Sequence, residues 1–203
     1  MTTSILYIHG LNSSPASLKA SLLRRAMQQL GLQEQLRVPA LHHHPRQAIA
    51  QLETLVAELG RPVLVGSSLG GYYATYLAQR HGLSALLINP AVHPHLRFDG
   101  YLGPQKNFYS DETWDLTTDH IDALAELAVA DLQQPARYQV WLQTGDETLD
   151  YRDAQAYYRA CALRIQAGGD HGFQGFADRL PMLFAFAGIP RHLWQDIDFS
   201  ALN

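Results

Sequence analysis

Val63-Leu64-Val65-Gly66-Ser67-Ser68-Leu69-Gly70-Gly71 decides the reading of this chain: an apolar strand runs without a linker into a glycine-framed serine and on into a helix through Gln79. In a turn that sharp the central residue takes a strained backbone conformation, and glycine two places before and after it removes the side chains that would collide. Gly66 and Gly70 frame Ser68 in this way, whereas Ser67 has Val65 and Leu69 at those places. The bare Gly-x-Ser-x-Gly pattern arises by chance in roughly 7% of chains this long. The strand before it and the helix after it therefore carry the discrimination.

Outward from this turn, apolar runs alternate with helix-periodic stretches, the rhythm of a parallel sheet covered by helices. Ile5-Leu6-Tyr7-Ile8 reads as a strand, followed by a helix with Leu18, Leu22, Leu23, Met27 and Leu30 on its inner face and Gly31 as its stop. A second strand near Leu36-Arg37-Val38 ends at Pro39. A helix then opens at Pro45, with Ile49, Leu52, Leu55, Val56 and Leu59 inward and Gly60 closing it. Leu86-Leu87-Ile88, Val140-Trp141-Leu142 and Leu163-Arg164-Ile165 supply three more strands, and a last helix is expected from Phe173 to Ala187.

Between Ile88 and Val140 the interval is too long for an ordinary turn. Its first half, about 91–116, reads as a small lid, whose Phe98, Tyr101, Leu102, Phe108, Tyr109 and Trp114 offer either walls for an acyl pocket or simple packing. Its second half, Thr117 to Leu132, reads as a helix with Ile121, Leu124, Leu127 and Ala128 inward. Tyr72 and Tyr73, after the serine turn, are expected against the core or the helix surface. Residues 1–190 are expected to form one domain and 191–203 a tail, with Trp194 as its aromatic anchor.

A chain of 203 residues, 47% apolar and 17% charged, suits one sizeable core. Its net charge of −4 and lack of a basic block argue against a nucleic-acid groove. Cys161 is the only cysteine, so no intrachain disulfide can form. Neither a cleavable leader nor a membrane-length apolar run is apparent, and a cytoplasmic location is the expectation.

A serine hydroxyl is a weak nucleophile until a base takes its proton, so Ser68 requires a histidine and a carboxylate to hold it. In the chain order Ser, acid, His, each partner follows a strand. Gly168-Gly169-Asp170-His171-Gly172 places His171 after the last strand as general base, with Asp170 expected to shape the loop. Asp146 follows the preceding strand directly after Gly145 and is the expected acid. Asp150 is the alternative, and either could cap the helix beginning near Tyr151. The base must be neutral to act, so activity should rise with pH through about 6.5, the ordinary imidazole value.

Acyl transfer also needs donors aimed at the developing oxyanion. The N–H of Leu69 is one, and His9-Gly10-Leu11-Asn12 after the first strand offers the N–H of Leu11 as the second. His9 itself suits a loop-fixing role, and His81 a helix C-terminus. His42-His43-His44 and the His93/His95 pair lack metal-ligand spacing and context, so structural or surface roles are expected. No phosphate- or dinucleotide-binding glycine loop is present, and no cofactor is implied.

Taken together, the His-Gly-Leu-Asn-Ser-Ser-Pro opening, the Gly-Ser-Ser-Leu-Gly-Gly-Tyr-Tyr-Ala turn, Asn89-Pro90-Ala91, Gln143-Thr144-Gly145-Asp146-Glu147 and Gly169-Asp170-His171 resemble the YqiA esterase family of small bacterial α/β-hydrolases. The resemblance runs from Ile5 to about Pro190. It implies an α/β-hydrolase fold: a mainly parallel sheet of about six strands, helices on both faces and no large cap. It also implies esterase activity on small-molecule acyl esters, extending to acyl-CoA thioesters, with Ser68, Asp146 and His171 as the triad. Thr148 stands where many α/β-hydrolases place an acid three residues after the glycine, which leaves the carboxylate open. The competing class is a protein of this fold that binds a small molecule or partner without turnover; a metal-dependent hydrolase is a more distant one.

Overall fold

The computed structural model describes residues 3–202. Met1, Thr2 and Asn203, at the ends of the expected domain and tail, lie outside the described residues. Six strands form one sheet in the order β2-β1-β3-β4-β7-β8: β1 (Ile5–Ile8), β2 (Leu36–Arg37), β3 (Val63–Ser67), β4 (Ala85–Ile88), β7 (Tyr138–Gln143) and β8 (Ala162–Gln166). Every pairing is parallel. A parallel sheet with both faces covered needs strands that are apolar throughout, and β1, β3 and β4 are buried at every residue.

Alternation along β1 shows how one strand serves two cores. Leu6 and Ile8 face the core under α2 (Pro45–Leu59), α3 (Leu69–His81), α4 (Thr118–Ala125) and α5 (Tyr151–Tyr157). Ile5 and Tyr7 face the core under α1 (Leu18–Gln29) and α6 (Leu180–Phe186). Tyr72 and Tyr73 are both buried in the first core, as expected. The α/β-hydrolase class read from the sequence is the class observed.

Three local expectations need correction. Leu18 is 67% exposed; as the first residue of α1 it overhangs the carboxyl edge of the sheet, where no strand lies beneath it. The helix expected over 117–132 stops at Ala125, because Leu127 and Ala128 donate to the carbonyls three residues back, and this tighter winding rotates Ala128 into solvent. The last helix begins at Leu180 rather than Phe173, since Phe173 and Gly175 have φ of 65° and 72°, a conformation no right-handed helix continues through. In the last stretch, Phe199 and Leu202 are buried on α1 and α6, while Trp194 is half-buried with its indole N–H donating to the Ile189 carbonyl at 2.9 Å.

The 91–116 segment holds a feature the sequence did not signal, an antiparallel hairpin of β5 (Gly103–Lys106) and β6 (Thr113–Leu116) apart from the main sheet. Four-residue strands, one of them carrying Pro104, give too little alternation to read. Among its large side chains Trp114 turns inward and Phe98 packs on the first core, but Tyr101, Leu102, Phe108 and Tyr109 are exposed. Of the two roles open to these side chains, lining a cleft falls to Trp114 and packing to Phe98.

Candidate active site

The serine turn at the end of β3 is built from close backbone approaches. Ser68 has φ 55° and ψ −124°, a conformation side chains other than glycine adopt only under constraint. The constraint is visible: Ser68 N–H donates to the Ile88 carbonyl at 3.1 Å, and its own carbonyl accepts from Gly71 and Ala91 N–H at 2.9 and 3.0 Å. A Cβ on Gly66 would lie 2.4 Å from the Gly70 carbonyl oxygen, and one on Gly70 would lie 2.0 Å from that of Ile8. Both glycines are thus required sterically, the second by β1 rather than by the serine. Ser68 occupies the N-cap position of α3, yet its hydroxyl does not cap the helix. It faces His171 instead.

His171 Nε2 lies 3.0 Å from Ser68 Oγ, and His171 Nδ1 lies 2.9 and 3.0 Å from the two Asp146 oxygens. Asp146 is only 2% exposed against 24% for His171. A buried carboxylate needs several donors to offset lost hydration, and Asp146 Oδ1 also accepts from the N–H groups of Thr148 and Leu149 at 2.9 and 2.8 Å. Asp150 caps α5, accepting from the Arg152 N–H, and that bond holds its carboxyl below the usual range. Asp170 accepts from the Gln174 amide within its own loop. Thr148, at the position often taken by an acid, contributes its backbone to Asp146.

Leu11 and Leu69, the expected oxyanion donors, line a single cleft together with Gly10, Asn12, His43 and Trp114. His9 is buried, with Nδ1 on the Gly10 carbonyl at 2.9 Å and Nε2 accepting from Leu41 N–H at 3.3 Å. That pattern assigns a neutral Nδ1–H ring, and burial pushes its pKa down, with the Gly10 bond opposing. Its loop-fixing role is the one expected.

Other residues at the site were given no role by the sequence, though some stand in the motifs quoted above. Asn89, at φ 40° after β4, donates to the Asp170 carbonyl at 3.0 Å and accepts from Gln143 N–H at 3.0 Å. The Gln143 side chain, fully buried, accepts from Asp170 and Gln174 N–H and donates to the Gln174 carbonyl. Glu147 accepts from the His171 N–H at 3.0 Å, and Lys19 donates to the Gly172 carbonyl at 2.8 Å. Burial holds the Lys19 ammonium down at about 8, with Asp170 and Asp146 opposing. Polar residues at strand ends, such as Asn89 and Gln143, are the signal that could have found the first two.

The histidine clusters have local partners. His44 meets Asp119 at 2.8 Å, His43 Nδ1 meets His120 Nε2 at 3.3 Å, and His43 stacks on Trp114 with ring centroids 4.7 Å apart. Among the described residues no group of three or more His, Cys, Asp or Glu is placed to hold a metal ion, and no helix is long and apolar enough to cross a membrane.

A parallel sheet, a strained serine at the β3–α3 turn, an acid after β7 and a histidine after β8 define the α/β-hydrolase fold. The chain belongs to the uncharacterised protein family UPF0227, whose family model matches residues 4–188 and which is the YqiA-like group its motifs resemble. Among solved structures it is similar to Est1E from Butyrivibrio proteoclasticus with bound ferulic acid (12% identity, TM-score 0.68, 91% of this chain and 86% of the other). It is also similar to mouse alpha/beta hydrolase domain-containing protein 10 (14%, TM-score 0.68, 93% and 90%). A third is the esterase domain of a Rhodothermus marinus protein (17%, TM-score 0.65, 92% and 86%). At these identities the likeness is one of fold.

Proposed function

We propose that this protein is a serine hydrolase of carboxylic esters, with acyl thioesters as a second substrate type. The observation that carries the reading is the unbroken chain from Ser68 Oγ through His171 to Asp146, each link at 2.9 to 3.0 Å. His171 Nε2 takes the hydroxyl proton as Ser68 Oγ bonds to the substrate carbonyl carbon. The N–H groups of Leu11 and Leu69 receive the oxyanion. Collapse expels the alcohol or thiol, which leaves with the proton from His171, and the acyl group stays on Ser68. Water, deprotonated by His171 in turn, releases the acid and restores the serine. Asp146 holds Nδ1–H and supports the imidazolium formed in both halves.

The test is labelling with a fluorophosphonate probe followed by peptide mapping, on wild type and on Ser68→Ala. Labelling at Ser68, lost in the variant together with ester turnover, is the expected result. A folded wild type that takes up no label would overturn the reading in favour of a binding protein of this fold.

A further inference from the structure

His171 and Gly172 are the two central residues of a tight turn, closed where the Phe173 N–H donates to the Asp170 carbonyl at 3.1 Å. Gly172 is exposed and has no side chain to anchor it, so the turn that carries the base must be held by its backbone groups. On the side before the base, Glu147 accepts from the His171 N–H at 3.0 Å and Asn89 donates to the Asp170 carbonyl at 3.0 Å. On the side after it, the Gly172 carbonyl accepts from the Lys19 ammonium at 2.8 Å. The first two holds come from the loops after β7 and β4. Lys19 comes from α1, 153 residues away in the chain, and ties the turn to the helices on one face of the sheet.

The helix itself is not served by a lysine at this place. Lys19 is the second residue of α1, where the backbone N–H groups already carry partial positive charge and a cation is disfavoured. Its side chain is partly buried, which disfavours an ammonium again. Lys19 and Lys106 are the two lysines of a chain with 15 Lys and Arg together, so positive charge is supplied almost everywhere else by arginine. The groups that offset these costs belong to the site: the Gly172 carbonyl by contact, and through space the carboxylates of Asp170, in the loop after β8, and Asp146, in the loop after β7.

Resting on the serine-hydrolase reading, we infer that Lys19 is a positioning residue for the general base: by holding the Gly172 carbonyl it keeps the His171 imidazole within reach of Ser68 Oγ, and it does so in its charged form. A charged donor bonds a carbonyl about twice as strongly as a neutral one, so the hold slackens when the ammonium gives up its proton. Burial brings that event down to about 8, with Asp170 and Asp146 opposing. The reactivity of Ser68 should therefore rise as His171 becomes neutral and fall again above about pH 8.

Fluorophosphonate labelling of Ser68 reads the base without requiring the natural substrate. The rate at saturating probe and the half-saturating concentration are measured across pH on wild type, Lys19→Met and Lys19→Arg, each checked for the wild-type fold by circular dichroism. Lys19→Met keeps the stem and removes the charge. At neutral pH it should lower the saturating rate by about tenfold or more, the scale of a misplaced reacting group, with half-saturation little changed and no falling limb at high pH. Lys19→Arg keeps its charge throughout, so it should recover most of that rate and also lack the falling limb. Undiminished labelling in Lys19→Met, an arginine variant no better than the methionine one, a falling limb that persists in either, or none in wild type would overturn the inference while leaving the hydrolase standing. A folded wild type that takes up no label at any pH would instead overturn the reading it rests on.

Discussion

Asp146 meets His171 Nδ1 with both carboxylate oxygens, at 2.9 and 3.0 Å, and does so from a position almost wholly buried. The imidazole is thereby fixed in one tautomer, with Nδ1–H committed to the acid and Nε2 left to accept from Ser68. Asp150, four residues on, has a different task, and a pair of substitutions separates them. Asp146→Asn should lower kcat by about 10³- to 10⁴-fold, as loss of the orienting acid does in serine triads. Asp150→Ala should leave kcat within a few-fold and lower the urea midpoint slightly through the lost α5 cap. Steady-state kinetics and urea unfolding on both proteins check this.

The glycines of the serine turn offer a sharper steric contrast. Gly70→Ala puts a methyl 2.0 Å from the Ile8 carbonyl oxygen, and forcing β1 and α3 apart should cost about 3 kcal/mol or more. Gly100→Ala meets nothing within 4 Å and should unfold at the wild-type midpoint. Comparable midpoints for the two variants would contradict the packing described.

Gln143 holds the His171 loop from within the sheet, so its loss should be read in catalysis as well as in stability. Gln143→Leu leaves the Asp170 and Gln174 N–H groups without their acceptor, at about 1–3 kcal/mol for each group left unpaired. The loop then positions His171 less well. kcat should fall with KM little changed; a rise in KM alone would mean that Gln143 acts on binding rather than on the base.

Stability should fall on acidification below neutrality. Burial, with the neighbouring His44 and His43 adding to it, holds His120 down at about 4 in the fold, against 6.5 in the unfolded chain. Between those values the unfolded chain binds the extra proton, so stability is full above about pH 6.5 and is lost progressively toward pH 4. Thermal unfolding across this range should show Tm dropping less steeply in His120→Gln than in wild type. Equal slopes would remove His120 as a contributor.

The C-terminal stretch should behave as part of the core. Phe199 is 2% exposed and packs edge-on against Phe184 at 5.4 Å, so Phe199→Ala should cost about 3–5 kcal/mol. Trp194→Ala should cost less, since that side chain is only partly buried. Urea midpoints give the comparison.

Much of this architecture was legible along the chain, and the reason is local. Strands such as Ile5–Ile8 and Ala85–Ile88 are buried on both faces and must be apolar at every position, while Gly31, Gly60 and Gly82 end helices with positive φ that few other residues adopt. Gly66 and Gly70 mark Ser68 because a sharp strand-to-helix turn tolerates nothing larger. These constraints act between residues a few places apart, so the sequence by itself determined the fold class, the nucleophile candidate and the loops from which its partners would come. What it left open depends on residues far apart meeting. Asp146 rather than Asp150 meets His171 because parallel pairing of β7 with β8 brings their following loops together. The inward turn of Trp114 was decided by Asn12, 102 residues earlier in the chain. The motifs that contain Gln143 and Asn89 assign neither residue a role, which arises because parallel pairing of β4, β7 and β8 gathers their side chains under one loop. Hydrogen bonds between distant residues leave no period and no local spacing to read, so the site's support could be seen only once the chain was folded.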